Sequence, residues 1–152
     1  MIQRIQTVYL ALAGVLAGLT FVFPFATYFL EEGEVIFNAY GVSENVLEVD
    51  TFFPYYITVS LSMGLSLFSI LQYKKRKLQL KVGRFNYLIL IITIAFIFID
   101  FSSLLSKFGI DENSVAYGLG MFMPVAALPL VFLATRGIKK DEDLIKSLDR
   151  LR

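Results

Sequence analysis

An all-α integral membrane protein, a four-helix bundle with both termini on the cytoplasmic side, is the architecture this 152-residue chain predicts. Three observations carry that prediction. Four apolar runs, over 8–30, 52–73, 85–107 and 115–135, each approach the ~20 residues that cross the hydrocarbon of a bilayer as a helix. The composition is 57% hydrophobic and 18% charged, whereas soluble domains carry about a quarter charged residues. Finally, the segments between the runs alternate in charge.

The first connector holds Glu31, Glu32, Glu34, Glu44, Glu48 and Asp50 and no base. The second holds Lys74, Lys75, Arg76, Lys77, Lys81 and Arg84 and no acid. Asp111 and Glu112 mark the third, and Arg136, Lys139 and Lys140 follow the last run. Short loops rich in Lys and Arg stay inside. The pattern therefore predicts an N-in, C-in bundle over 1–137 and a cytoplasmic tail over 138–152. The net charge of +1 conceals this segregation and says nothing by itself about partners.

In the first run, Arg4 precedes a stretch that is longer than the core of a secretory signal, which predicts an uncleaved span. Gly14 and Gly18 form a GxxxG with Ala11 on the same face. Such a face lets a second backbone approach closely, either within the bundle or in a homodimer. Pro24 near the outer end predicts a kink. The following loop has two β-leaning pieces, 34–40 and 45–50, separated by Gly41, Val42, Ser43 and Glu44, so a short extracytoplasmic β-hairpin is expected there. Its acids either enforce topology or attract a cation or basic partner; their spacing is not that of a calcium loop.

The second run carries Thr58, Ser62, Ser66 and Ser69 on one helical stripe. A stripe of hydroxyls either lines a wet path or lets helices pack tightly through interhelical hydrogen bonds. The third run contains Asp100, the one acid deep in an apolar stretch. An ionised carboxylate in hydrocarbon costs at least ~2.5–3.5 kcal/mol unless it is paired or hydrated. Ser103 and Lys107, one and two turns away, are its nearest candidate partners in sequence. The fourth run includes Gly118 and Gly120, which lack the strand and third glycine of a nucleotide loop. It also includes Pro124 and Pro129, which predict bends.

The tail reads as a short amphipathic helix, with acids at 141–143, bases at its end, and Leu144, Ile145, Leu148 and Leu151 as an apolar stripe. That stripe needs a cover, from the lipid interface, the chain's own basic connector or a partner protein. The cluster Lys74, Lys75, Arg76 and Lys77 suits anionic lipid or an acidic partner; nucleic acid would reach it only by indirect contact.

Cys, His and Trp are absent. This composition excludes disulfides, thiol chemistry, imidazole metal or haem ligation and Ser-His-Asp catalysis. No paired carboxylates are spaced to act as general acid and base, so no enzyme, cofactor or metal site is expected.

The opening stretch, Met1-Ile2-Gln3-Arg4-Ile5-Gln6-Thr7, and the closing stretch from Lys140 to Arg152 resemble the two ends of an uncharacterised family of four-span inner-membrane proteins of Bacteroidota. The resemblance implies a native start at Met1, a bacterial inner membrane and no known activity. The expected function is a non-catalytic accessory or scaffold subunit of an inner-membrane protein complex. It would bind its partner through Arg4, the 74–77 cluster and the tail stripe. The alternative is a small transporter or binder of an ion or lipophilic molecule, built on Asp100, Ser103, Lys107 and the hydroxyls of Ser62 and Ser66.

Overall fold

A computed structural model of the chain describes residues 2–30, 33–42, 53–109 and 114–150. Among them are four helices, α1 (Ile2–Leu19), α2 (Tyr55–Leu71), α3 (Arg76–Phe108) and α4 (Leu119–Arg150), and four short strands, β1 (Ala26–Leu30), β2 (Gly33–Asn38), β3 (Gly41–Val42) and β4 (Val115–Tyr117). Each helix packs on its neighbours in sequence, and α1 closes the ring on α4. The strands form one antiparallel sheet, in the order β3-β2-β1-β4, at one end of the bundle.

The helices differ in length, and the sheet makes up the difference. At 1.5 Å per residue, α3 is about 50 Å long, whereas α1 and α2 reach only about 27 and 25 Å. The sheet therefore packs where α1 has ended and α2 has not begun. Its inward residues Phe25, Ala26, Tyr28, Val35 and Phe37 cover Ile97, Phe101 and Leu104 of α3, Tyr55 of α2 and Met121 of α4. Phe25, Phe37 and Tyr55 meet edge to face, with centroids 5.0–5.6 Å apart, as aromatic quadrupoles favour. Tyr28 lies opposite Val35 on one side and Val115 on the other, which fixes the register of the two central ladders.

The first apolar run is thus not one helix over 8–30. Its first part is α1 and its last five residues are β1. Pro24 explains the change, since the residue before a proline is pushed out of the α region and the proline ring cannot continue a helix. The expected hairpin is displaced accordingly: β2 pairs with β1 across 30–33, and 45–50 lies outside the described residues. The fourth run likewise starts as a strand, β4, before α4 begins at Leu119. Between strand and helix, the Gly118 N–H donates to the Phe25 carbonyl and the Gly120 N–H to the Pro24 carbonyl, both at 2.9 Å. A Cβ at either glycine would collide with the backbone of Phe23 or Pro24. Close approach to a neighbouring backbone is what this Gly-Leu-Gly provides.

Two further boundaries move. The second connector shrinks to 72–75, so Arg76, Lys77, Lys81 and Arg84 stand on the first turns of α3. At its other end α3 stops at Gly109, a left-handed cap whose N–H donates to the Leu105 carbonyl. The tail is not a separate helix. α4 runs through Pro124 and Pro129 and across 137/138 to Arg150.

The inward positions of α3 include Gln79, Gly83, Asn86, Leu90, Thr93, Ile97, Asp100 and Leu104, a spacing of alternating four and three residues typical of helix bundles. Its outward positions from 85 to 99 are nearly all large and apolar: Phe85, Leu88, Ile91, Ile92, Phe98 and Ile99. Exposed apolar residues also cover α1 (Val8, Leu12, Val15), α2 (Ile57, Leu61, Leu67) and α4 (Phe122, Val125, Phe132). Large apolar side chains thus face outward while Gln79, Asn86, Thr93 and Asp100 are buried, a distribution unlike that of a water-soluble bundle. Two helical segments, Arg76–Lys107 and Leu119–Ser147, are long and apolar enough to cross a membrane, and only 39% and 33% of their most apolar stretches are buried within the chain.

Candidate functional site

The chemistry of the interior runs along one seam between α2 and α3. Gln79, Asn86, Thr93 and Asp100 recur at exact seven-residue intervals on α3, so they stand one above another on a single face. They meet Ser69, Ser66, Ser62 and Tyr55 of α2, in the order an antiparallel pair requires. Gln79 donates to the Ser69 carbonyl at 2.8 Å, Asn86 donates through Nδ2 to Ser66 Oγ at 2.9 Å, and Tyr55 donates its hydroxyl to Asp100 Oδ2 at 2.6 Å. Between these contacts, Thr93 and Ser62 join Thr20 and Thr58 around a cavity of ≈10 Å³. Among the described residues, two buried atoms of the seam, Ser69 Oγ and Asn86 Oδ1, have no hydrogen-bond partner.

Asp100 is 7% exposed and lies at the junction of bundle and sheet. The phenol that meets it comes from the first turn of α2, 45 residues away in sequence. Ser103 and Lys107 instead lie exposed on the last turns of α3, and among the described residues neither bonds to Asp100. Tyr28 of the sheet donates to the Phe101 carbonyl at 3.3 Å beside this pair. Asp100 therefore links α2 to α3 under the aromatic cap. Ser62 and Ser66 are also buried in the seam, and the Ser66 hydroxyl donates back to the Ser62 carbonyl.

A second polar knot ties the opposite end, where the two termini lie. Gln6 of α1 donates to Asp141 Oδ2 of α4 at 2.9 Å, both residues being buried. Thr7, Tyr73, Arg76, Gln79 and Ile138 complete a small cavity of ≈20 Å³ against them. Gly14 packs on Ser66 and Gly18 on Met63, so the GxxxG face is occupied by α2 of the same chain.

The residues expected to bind a partner lie at that terminal end. Lys74, Lys75 and Lys77 are exposed, and Arg76 is half-buried beside the Gln6–Asp141 pair. Leu144 and Ile145 project from α4 at 51% and 41% exposure. Arg4 and Leu148 belong to α1 and α4, with side chains outside the described set, and Leu151 lies outside the described residues. Glu142, also buried, pairs with Lys146 one turn on, at 3.3 Å.

Sequence reasoning on α2 found the hydroxyl stripe but missed the ladder that faces it. The seven-residue recurrence of Gln79, Asn86, Thr93 and Asp100 was the available signal. Gln6 and Asp141 gave no such signal, because they are 135 residues apart.

A helical bundle capped by a small antiparallel sheet, with two helices of membrane-crossing length and a polar seam inside, is the class these features define. The chain belongs to the family described as Domain of unknown function (DUF4293), which matches it over residues 2–151. No curated protein and no solved structure matches the chain.

Proposed function

We propose that this chain spans a bacterial inner membrane four times, with both termini inside, and serves as a non-catalytic accessory or scaffold subunit of a membrane protein complex. The observation that carries the reading is an outward girdle of large apolar side chains around a buried polar seam. Four helices turn large apolar side chains outward while a ladder of amides, hydroxyls and a carboxylate is paired inside. Lipid makes that distribution favourable: it accepts the exterior and leaves the polar groups only each other as partners. Beyond the apolar girdle, the terminal end is basic and carries Leu144 and Ile145 on a rigid continuation of α4. An apolar pair so displayed suits a helix or groove of another protein. Asp100, with the Tyr55 hydroxyl on it, serves in this reading as a fastener of the bundle rather than a transport site.

Orientation is tested first. The chain has no Cys, so single substitutions Lys75→Cys and Glu34→Cys report topology directly. An impermeant thiol reagent added to intact cells should label position 34 and spare position 75; the opposite labelling overturns the topology. The subunit role is tested by mild solubilisation of the tagged chain from its own host. A defined set of companions should be retained, and Leu144→Glu with Ile145→Glu should release it. A solitary, monodisperse wild-type chain that cross-links to nothing refutes the role.

A further inference from the structure

Outside the seam and the tail, the molecule has a large cleft on its flank, between α3 and α4 near the terminal end. Its volume is ≈550 Å³, within the range of small-ligand sites. The helices are pinned together at its back, where a Cβ on Gly83 would meet the Thr135 side chain at 2.5–3.5 Å. Leu88, Tyr87 and Phe132 form its apolar wall, and Arg84, Arg136 and Lys139 stand at its rim. Both helices carry the same polarity gradient. On α3, Arg84 is one turn from Leu88; on antiparallel α4, Arg136 is one turn from Phe132, so charge gives way to apolar surface in the same direction on both walls. Among the described residues none of the three cations has an ion pair. The acids nearest in sequence on that side of α4, Glu142 and Asp143, lie about a turn beyond Lys139, away from the apolar wall, and Glu142 pairs with Lys146.

We propose that this cleft is the seat of one anionic phospholipid of the inner leaflet. Its phosphate sits among Arg84, Arg136 and Lys139, and one acyl chain lies against Leu88, Tyr87 and Phe132. The inference rests on the bilayer reading above. In that reading Arg84 and Arg136 are the last charges before hydrocarbon on their helices, which puts them at headgroup depth. Basic pockets between helices at that depth select anionic headgroups over zwitterionic ones. Charge complementarity also argues against a second copy of the chain. A two-fold contact here would bring each set of three cations against its own image.

The test is native mass spectrometry of the intact chain in mild detergent with equimolar phosphatidylglycerol and phosphatidylcholine. One phosphatidylglycerol per chain should be retained, with a preference of roughly tenfold. Arg84→Gln with Arg136→Gln should bring the preference close to parity. Leu88→Trp, which fills the wall without touching the cations, should lower retention of both lipids, and circular dichroism checks that each variant is folded. Equal retention of the two lipids by the wild type overturns the proposal, as does a preference that survives loss of both arginines. So does displacement of the lipid by millimolar glycerol 3-phosphate, which would mean that the headgroup alone is bound, or cross-linking that finds a protein segment in the cleft. Flotation with pure phosphatidylcholine vesicles separates the two readings. A chain that floats but retains no phosphatidylglycerol loses only the lipid seat, whereas one that stays in aqueous solution without detergent loses the bilayer as well.

Discussion

At the sheet end the bundle is closed by aromatic rings, with a single carboxylate beneath them; at the terminal end it is closed by an amide, a carboxylate and a guanidinium around a small polar cavity. Phe25, Phe37, Phe53 and Tyr55 form a continuous ring cluster, and Phe53 stacks on Phe96 at 4.2 Å. There Asp100 is 7% exposed beneath the rings and accepts a short hydrogen bond, 2.6 Å, from the Tyr55 hydroxyl. At the other end Asp141 and Gln6 are equally buried, but they lie beside Arg76, Gln79 and Thr7. The same type of group is thus fastened rigidly at one end and adaptably at the other.

That contrast is strongest for the backbone. Gly120→Val drives a side chain into the carbonyls of Phe23 and Pro24, which belong to main chain fixed on two sides by the sheet. A loss of about 3 kcal/mol is expected, the upper end of ordinary overpacking costs, read as an earlier transition in dodecyl sulfate titration followed by circular dichroism. Gly137→Ala is the matching change at the terminal end. Its new Cβ meets only the flexible Gln6 side chain, at 3.0–3.4 Å, and should cost below about 1 kcal/mol. Comparable losses at the two glycines would remove the distinction between a rigid and an adaptable end.

Removing the phenol comes next. Tyr55→Phe leaves the ring cluster in place and deprives Asp100 of its donor, for an expected loss of about 2 kcal/mol. Adding Asp100→Leu to that variant should restore much of the loss, because replacing both partners by apolar groups removes the unsatisfied carboxylate. If Tyr55→Phe alone leaves the transition unchanged, the pair is not what joins α2 to α3.

These differences also show which parts of the molecule could be read from residues alone. The four helices follow from apolar runs of sufficient length, and α3 was legible over 85–107 but not over 76–84, where its basic first turns read as a connector. The strands were misread as helix ends because 26–30 and 115–117 are short, apolar and contiguous with true helices. Periodicity cannot separate a buried strand from a helix over five residues. Pro24, Gly118 and Gly120 held the answer, but their meaning depends on one another: the glycines are needed only because the Phe23–Pro24 backbone lies against them. At the site, Asp100 stood out from its own neighbours, yet its partner did not. Local reasoning pointed along α3 to Ser103 and Lys107, whereas antiparallel packing delivers Tyr55 from the start of α2. A contact between elements far apart in sequence leaves no trace in spacing along either one.

A smaller loss than that of Tyr55→Phe is the most discriminating for the terminal end. Gln6→Leu removes the amide that donates to Asp141, so a carboxylate that is 8% exposed loses its partner, as Asp100 does in Tyr55→Phe. If burial alone set the cost, the two changes would be equally damaging. The terminal cavity differs in being lined by other donors, with Arg76 and the Gln79 amide within it and a volume of ≈20 Å³, enough for a single water. Asp141 can therefore recover a donor by a small shift of a side chain, whereas the hydroxyl beside Asp100, that of Tyr28, already donates to the Phe101 carbonyl. The expected loss is about 1 kcal/mol, half that of Tyr55→Phe, in the same titration. Adding Arg76→Met should widen it, since the compensating cation is then gone. A Gln6→Leu variant as unstable as Tyr55→Phe, with no further loss on removing Arg76, would mean that the terminal carboxylate depends on its one amide as heavily as Asp100 depends on Tyr55.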